Sequence, residues 1–477
     1  MPNSNGSVIL LEFNELSPVL IDRFISEGTL PNFRRLRQES CCYVTDAGGR
    51  PPYLEPWIQW TTVHSGMTHQ EHKVLHLDEG HKLKQKCVWD LLSDAGYRVW
   101  VCGAMNARYD RELNGAVLPD PWSSQLEPRP TTLAPFYEFI KKNVQEHTNR
   151  DARINLKSYL TLLGYLISHG LSFSSVKSIA RQLLTERRGG GRWRRAVLLD
   201  RLQFDVFRSY YRKLRPQFSI FFSNSTAHFQ HMYWRNMDPG PFRVKPTTEE
   251  QAKFGEAILF GYQQMDWLIG QFLELAGEGT TLIFSTALSQ QPCLIYEDQG
   301  GKCFYRPRSF ESFLAFAGVQ DSAEVAPVMS EQFYVRFSHE AAAQKGEQIL
   351  KLLETGGRPL LSVERRGREL FCGCQIHTPL QDEAELSVRG TDRKSPFYQL
   401  LYRAEGLKSG MHHPDGMLWM RFPSKEHRVQ MNRVPLACIA PTLLELFSVG
   451  APDYMRGGSL LGSTAPEHNA TASAVQV

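Results

Sequence analysis

The stretch Val8-Ile9-Leu10-Leu11-Glu12-Phe13-Asn14-Glu15 decides the fold. Its apolar run is continuous instead of alternating and passes at once into polar residues, the pattern of a β-strand buried on both faces. Working outward, residues 18–27 and 88–95 carry helical patterns, and Val99-Trp100-Val101-Cys102-Gly103 reads as a second strand. Strand and helix in alternation predict parallel pairing. Residues 218–222 and 281–285 repeat the theme as continuous apolar strands. Ligands gather at the carboxyl ends of open parallel sheets, which directs attention to residues 12–15, 223–231 and 286–290.

With 477 residues, 42% of them hydrophobic and 22% charged, the chain can bury a large core, so disorder is not expected. A net charge of +4 with no nucleic-acid motif argues against a nucleic-acid partner. The one dense basic cluster, Arg187-Arg188-Gly189-Gly190-Gly191-Arg192-Trp193-Arg194-Arg195, is a glycine-hinged loop that can also meet phosphates or an anionic membrane face. Residues 156–184 are apolar but interrupted by Lys157, His169, Lys177 and Arg181. They read as an amphipathic helical pair, suited to peripheral membrane contact, and not as a span. Residues 1–7 lack a basic leader, and nine scattered cysteines make no disulfide framework, so a cytoplasmic location is expected.

The expected organisation is an α/β core over residues 1–129, a helical insert over 130–215, core again over 216–329, a small α+β insert over 330–400 and a closing core segment over 401–463. Residues 464–477, rich in Ala, Ser and Thr, are expected to form a disordered tail.

Four segments, in order, resemble the type I phosphodiesterase/nucleotide pyrophosphatase branch of the alkaline phosphatase superfamily. They are the opening strand with Gly28-Thr29-Leu30-Pro31-Asn32-Phe33; Trp60-Thr61-Thr62-Val63-His64-Ser65-Gly66 with Glu71-His72; residues 226–231 with Tyr233-Trp234; and Gly410-Met411-His412-His413-Pro414-Asp415-Gly416. Ala440 to Leu446 and Gly457 to Leu461 look like the family's closing helix and strand. The resemblance implies a three-layer α/β sandwich and a site in which two divalent ions clamp a phosphoryl group while a hydroxyl attacks it. It also implies that most of that site is substituted. Asn14 stands at the first-strand aspartate, Pro56 at the nucleophilic threonine, Ala227 at the aspartate of the third motif, and Thr286-Ala287 at a later Asp-His pair.

Of the usual ligands His231 and His412 persist, and His228 or His413 can add a third nitrogen, enough for one zinc or manganese ion; the metal set is taken as His231, His412 and His413. A site without metal is the other option. Glu12, Glu15 and Glu55 are the candidate catalytic carboxylates, with Glu55 as base or covalent nucleophile where the hydroxyl is missing. Asn14, Trp57, Gln59, His64, Asn106, Asn224, His228 and Gln290 are the candidate substrate-binding residues, since aromatic faces beside amides suit a sugar or nucleoside. The function expected is phosphodiester or phospho-group hydrolysis or transfer on a nucleotide-sugar or glycan phosphate. The alternative is a catalytically silent relative that binds a glycan, nucleotide or protein partner through the same cleft.

Overall fold

The computed structural model describes residues 6–110, 112–123, 125–148, 155–187, 191–328 and 331–461. The expected tail and Arg188-Gly189-Gly190 of the basic cluster lie outside the described residues. Twelve strands concern the site and its support: β1 Val8–Phe13, β2 Cys41–Asp46, β3 Val99–Cys102, β4 Gly115–Leu118, β5 Phe218–Ser223, β6 Thr281–Ser285, β7 Ser289–Pro292, β8 Lys302–Pro307, β9 Leu401–Lys408, β10 Gly410–His413, β11 Asp415–Arg421 and β12 Arg428–Pro435. Six helices matter in the same way: α1 Pro56–Ser65, α2 Leu156–Ser168, α3 Phe173–Arg187, α4 Ala196–Leu214, α5 Ser225–Met237 and α6 Ala257–Ala276.

The main sheet has the order β12-β2-β11-β6-β1-β5-β3-β4. Its block β6-β1-β5-β3-β4 is parallel, as the alternation of strands and helices predicted, and β11 runs antiparallel between β6 and β2. Strand β1 is buried along its whole length. Ile9, Leu11 and Phe13 join the core on one face, and Val8 and Leu10 join the core on the other. Helices cover both faces, giving the three-layer arrangement that the resemblance implied. On one face α4 and α6 pack Phe204, Phe207, Ile258 and Tyr262 onto the sheet; on the other, α1 contributes Trp60 and Val63.

A third core belongs to a smaller unit around two four-stranded antiparallel sheets and the helix Glu340–Leu350. One of these sheets contains the expected hairpin, Leu361–Arg366 against Glu369–Cys374, and also the strand Ser322–Pro327. A cleft of ≈ 380 Å³ where this unit meets the main body is lined by ion pairs such as Arg366–Glu79 (2.6 Å) and Arg336–Glu369 (2.7 Å), and neither His231 nor His412 lines it. One expectation is corrected here: residues 457–461 form no strand, and the Leu460 N–H donates to Thr442 Oγ1 instead (3.0 Å). All nine cysteines are free and buried. No helix among the described residues is long and apolar enough to cross a membrane.

Candidate metal centre

The parallel block brings the ends of β1, β5 and β6 to one edge, and antiparallel β11 starts at that same edge. Glu15 turns into this edge through a backbone bend at φ 60°, in the left-handed region that non-glycine residues rarely adopt. Gln230 on α5 holds the bend. Its Nε2 donates to the Glu15 carbonyl (2.8 Å), and its Oε1 accepts from the Tyr262 hydroxyl (2.7 Å), which in turn accepts from the Ser17 N–H (2.7 Å).

The buried Glu15 carboxylate meets two imidazoles: Oε2 lies 3.0 Å from His231 Nε2 and 3.3 Å from His412 Nε2. One donor atom from each of the three residues lies within 4.8 Å of the others. His231 rides on α5, directly after β5, and His412 comes from β10. The β10–β7 ladder sets His412 opposite Gln290, and residues opposite one another in a ladder share a face. Gln290 Nε2 accordingly donates to Glu15 Oε2 (2.6 Å) and to the Ala227 carbonyl (3.0 Å). Only glycine fits at position 410, because a Cβ there would lie 2.4 Å from both the Gln230 carbonyl oxygen and Gln290 Oε1.

The Gly410 carbonyl accepts from His231 Nδ1 (3.0 Å). A carbonyl can only accept, so Nδ1 carries a proton. Nε2 faces the Glu15 carboxylate at 3.0 Å, as a lone pair when the ring is neutral and as a second donor when it is charged. Burial opposes ionisation of Glu15, but the charges and hydrogen bonds of His412 and His231 outweigh it and hold the carboxyl well below its usual range. Burial, joined by the charge of Lys408, pushes His231 down to about 4. His412 is raised: burial opposes its charge, but Glu15 and Glu55 win. Gln290 Oε1 is also buried there without a hydrogen-bond partner. Two imidazole nitrogens and one carboxylate match the donor set of three-ligand zinc sites that keep one position open, and manganese tolerates the same donors. A ligating histidine whose other nitrogen is tied to a carbonyl is the usual supporting arrangement.

Glu55 immediately precedes α1, makes no capping bond with its side chain, and brings Oε2 to 3.5 Å from His412 Nδ1, with that side chain 32% exposed. Burial raises its pKa, with Glu15 adding to the rise and His412 and Lys408 opposing it. Pro56 follows as the first residue of α1 and carries no hydroxyl. Two residues that sequence reasoning missed complete the surroundings. Lys302 and Lys408 are partners in the β8–β9 ladder, both with Nζ over the Phe304 ring, at 5.3 and 5.5 Å. Their charges act on Glu55, and that of Lys408 reaches His231 and His412 as well.

Other expected residues lie elsewhere. Glu12 shares the Val8–Leu10 face of β1, so it points into the α1 layer, where it pairs with buried His64 (2.8 Å) beside Trp89. Neither Glu12 nor His64 lines the centre. His413 is a neighbour of His412 in a strand and so faces the other way, opposite Ser289, with Nδ1 accepting from the Asp415 N–H (3.2 Å). It is not one of the three clustered donors; the third is Glu15. Trp57 is core, its Nε1 donating to the Leu75 carbonyl (3.0 Å). Gln59 braces the Tyr53 carbonyl (2.9 Å), and Asn106 ties the His76 carbonyl to the Gly80 N–H. These three are packed inward and offer no surface to a substrate. His228 lies one turn before His231 on α5 and is not one of the three clustered donors.

The other half of the edge is closed. Asn14 accepts from Trp60 Nε1 (2.7 Å) and donates to Glu15 Oε1 (2.8 Å) and to Asn224 Oδ1 (2.7 Å). Thr286 Oγ1 accepts from the Met417 N–H (3.0 Å), and Ala287 is fully buried.

Scans against protein-family profiles and curated proteins found no match. Among solved structures, the chain is similar to murine ectonucleotide pyrophosphatase/phosphodiesterase 5, at 9% identity and a TM-score of 0.40 over 94% of this chain and 96% of that one. It is also similar to the phosphonoacetate hydrolase of Sinorhizobium meliloti 1021 in complex with phosphonoacetate, at 11% identity and a TM-score of 0.41 over 93% and 95%. The human phosphodiesterase 5 counterpart gives 9% identity and 0.39 over 95% and 97%. Values this low describe a shared course of the chain and carry no argument about individual residues.

Proposed function

We propose that this chain is a cytoplasmic hydrolase of phosphoesters that uses one divalent ion, zinc or manganese, held by Glu15, His231 and His412. The observation that carries the reading is the convergence of one donor atom each from Glu15, His231 and His412, with His231 Nδ1 already committed to the Gly410 carbonyl. These three atoms would hold the cation. When bound, such an ion polarises a phosphoryl oxygen and offsets the charge that develops on it.

The chain's own residues supply the rest. Lys408 brings positive charge to His231 and His412, and with Lys302 to Glu55, where a phosphate group needs it. Glu55, exposed enough to meet solvent and adjacent to His412, accepts the proton of an attacking water. The water oxygen bonds to phosphorus, the ester P–O bond breaks, and the departing alkoxide takes a proton from solvent. Pro56 rules out a phosphorylated hydroxyl at that position. Free thiols throughout support the cytoplasmic placement. Trp57 and Trp60 are buried and offer a sugar no stacking face, so nucleotide-sugars and glycan phosphates enter the screen on the family resemblance alone.

The second reading, a silent binding protein, is favoured by the closed half around Asn14, which leaves room for one ion where the resembled family uses two. The test is elemental analysis of protein purified without chelator or affinity metal, with hydrolysis of bis(p-nitrophenyl) phosphate alongside. About one zinc or manganese per chain, lost in His231→Ala/His412→Ala and retained in His413→Ala, together with hydrolysis lost in the same double variant, supports the enzyme. Metal without turnover on any phosphoester supports the silent reading. No metal in the wild type overturns the proposal.

A further inference from the structure

Helices α2 and α3 are consecutive, joined by residues 169–172, and both pack onto α4. Helix α2 buries Leu162, Tyr165 and Leu166, and α3 buries Ser175 and Gln182. Each helix carries a second apolar stripe, turned to solvent. On α2 it is Leu156, Tyr159, Leu160, Leu163 and Ile167; on α3 it is Phe173, Val176, Leu183 and Leu184. The spacings of three and four residues put each set on one face of its helix. Exposure reaches 83% at Phe173, 74% at Leu156, 68% at Ile167 and 60% at Leu160. Scattered exposed apolar residues are ordinary, but nine on two consecutive helices mark an interaction surface.

The charges on the two helices themselves have one sign up to Thr185. Residues 155–185 contain Lys157, Lys177 and Arg181 and no Asp or Glu. These three, with Arg187 and Arg192 beyond them, are exposed. The first acidic residue, Glu186, is already paired with Arg195. Cations flanking an apolar stripe, with aromatic residues in it, match the interface of an anionic bilayer, where the stripe enters the acyl boundary and the basic heads stay among the phosphates. An acidic peptide groove would satisfy the charges but would not require nine exposed apolar groups. At 13 and 15 residues the helices measure about 20 Å, too short to cross a core of about 30 Å, so the fit is to lying in the surface.

We infer that the α2–α3 pair docks this protein onto an anionic membrane surface. The inference is independent of the hydrolase reading. The pair is also tied to the metal centre's helix: Trp193, just beyond α3, packs edge-on to Phe229 (5.6 Å) and against Tyr233 (6.1 Å) of α5, which carries His231. Docking therefore fixes the orientation of the cleft relative to the bilayer.

The experiment is vesicle flotation of the full chain with phosphatidylcholine alone and with one third phosphatidylglycerol, at low and high salt. Binding is expected to the anionic vesicles, weakened by salt. Leu160→Glu/Phe173→Glu should lower affinity at least about tenfold, and Lys177→Gln and Arg181→Gln about fivefold each. All four positions are exposed, so the fold has no stake in them. Phe173→Trp supplies a readout that removes nothing: its emission should shift to the blue on anionic vesicles. Absence of binding, or an unshifted emission with vesicles present, overturns the inference. So does a wild-type dimer that Leu160→Glu/Phe173→Glu converts to monomer with lipid binding unchanged, because a second copy would then be the occupant.

Discussion

Asn14 and Glu15 are consecutive residues at the end of β1, and they sit in opposite chemical conditions. Asn14 is saturated: Trp60 donates to its oxygen, and its amide nitrogen serves Glu15 and Asn224. Glu15 keeps an oxygen facing two imidazole nitrogens. Thr286 and Ala287 are likewise closed off, while Gln290, His231 and His412 converge. Around Asn14, hydrogen bonds that need no ion occupy the edge. The other half instead keeps three side chains of metal-ligating types converged, and substitutions on either side test that difference.

The strongest challenge to this contrast is Glu55→Gln. If Glu55 takes the water proton, kcat for bis(p-nitrophenyl) phosphate falls about 10²- to 10⁴-fold while metal content stays at the wild-type level. An unchanged kcat would confine chemistry to the ion and the lysines.

Asn14→Asp probes the closed half directly. An oxygen replaces the amide that now meets Glu15 Oε1 and Asn224 Oδ1, so without metal the variant should lose about 1–3 kcal/mol. Thermal melts with and without excess zinc decide what the position can do. A recovered Tm with two ions per chain reopens the second half; a deficit that zinc leaves untouched confirms closure.

Lys302→Gln/Lys408→Gln should raise KM for anionic esters by about tenfold with a smaller change in kcat, since removed charges act mainly on binding. Steady-state kinetics at two salt concentrations separates this from a general loss of fold.

The gentlest comparison sets His231 beside His72, another buried histidine pushed to about 4, in this case by burial and then by His69. The ring of His72 is satisfied as a neutral group: Nδ1 accepts from the Val74 N–H (3.0 Å), and Nε2 lies 3.3 Å from Thr62 Oγ1. Its folded pKa lies below the unfolded 6.5, so the unfolded chain takes up the proton first and stability drains away as pH falls from 6.5 towards 4. The whole span is worth about 3 kcal/mol at most. Urea midpoints near neutrality and near pH 4 should show a shallower acid loss in His72→Gln. An equal slope would place the acid sensitivity elsewhere.

The frame of the molecule was readable because β1, β3, β5 and β6 are continuous apolar runs closed by polar residues, a local property. His231 and His412 were readable from their motifs. The choice between Glu12 and Glu15 was not, since it depends on strand parity and on a left-handed bend held by Gln230 from another element. The register of β10 against β7, which chooses His412 over His413, is likewise a pairing property. Trp57, Gln59 and Asn106 lie near strand ends along the chain but turn inward to backbone partners. Lys302 and Lys408 are far apart in sequence and meet only through the β8–β9 ladder, so no local signal announces them.

The nine buried, unpaired thiols have a use of their own. A bulky alkylating reagent can reach none of them until the surrounding segment opens, so each labelling rate reports a local opening equilibrium. Cys102 lies in β3, Cys41 and Cys42 lie in β2, and Cys372 and Cys374 belong to the smaller antiparallel sheet. Mass spectrometry of the untouched wild-type chain can therefore rank the opening of the main sheet against that of the smaller unit, with no probe introduced.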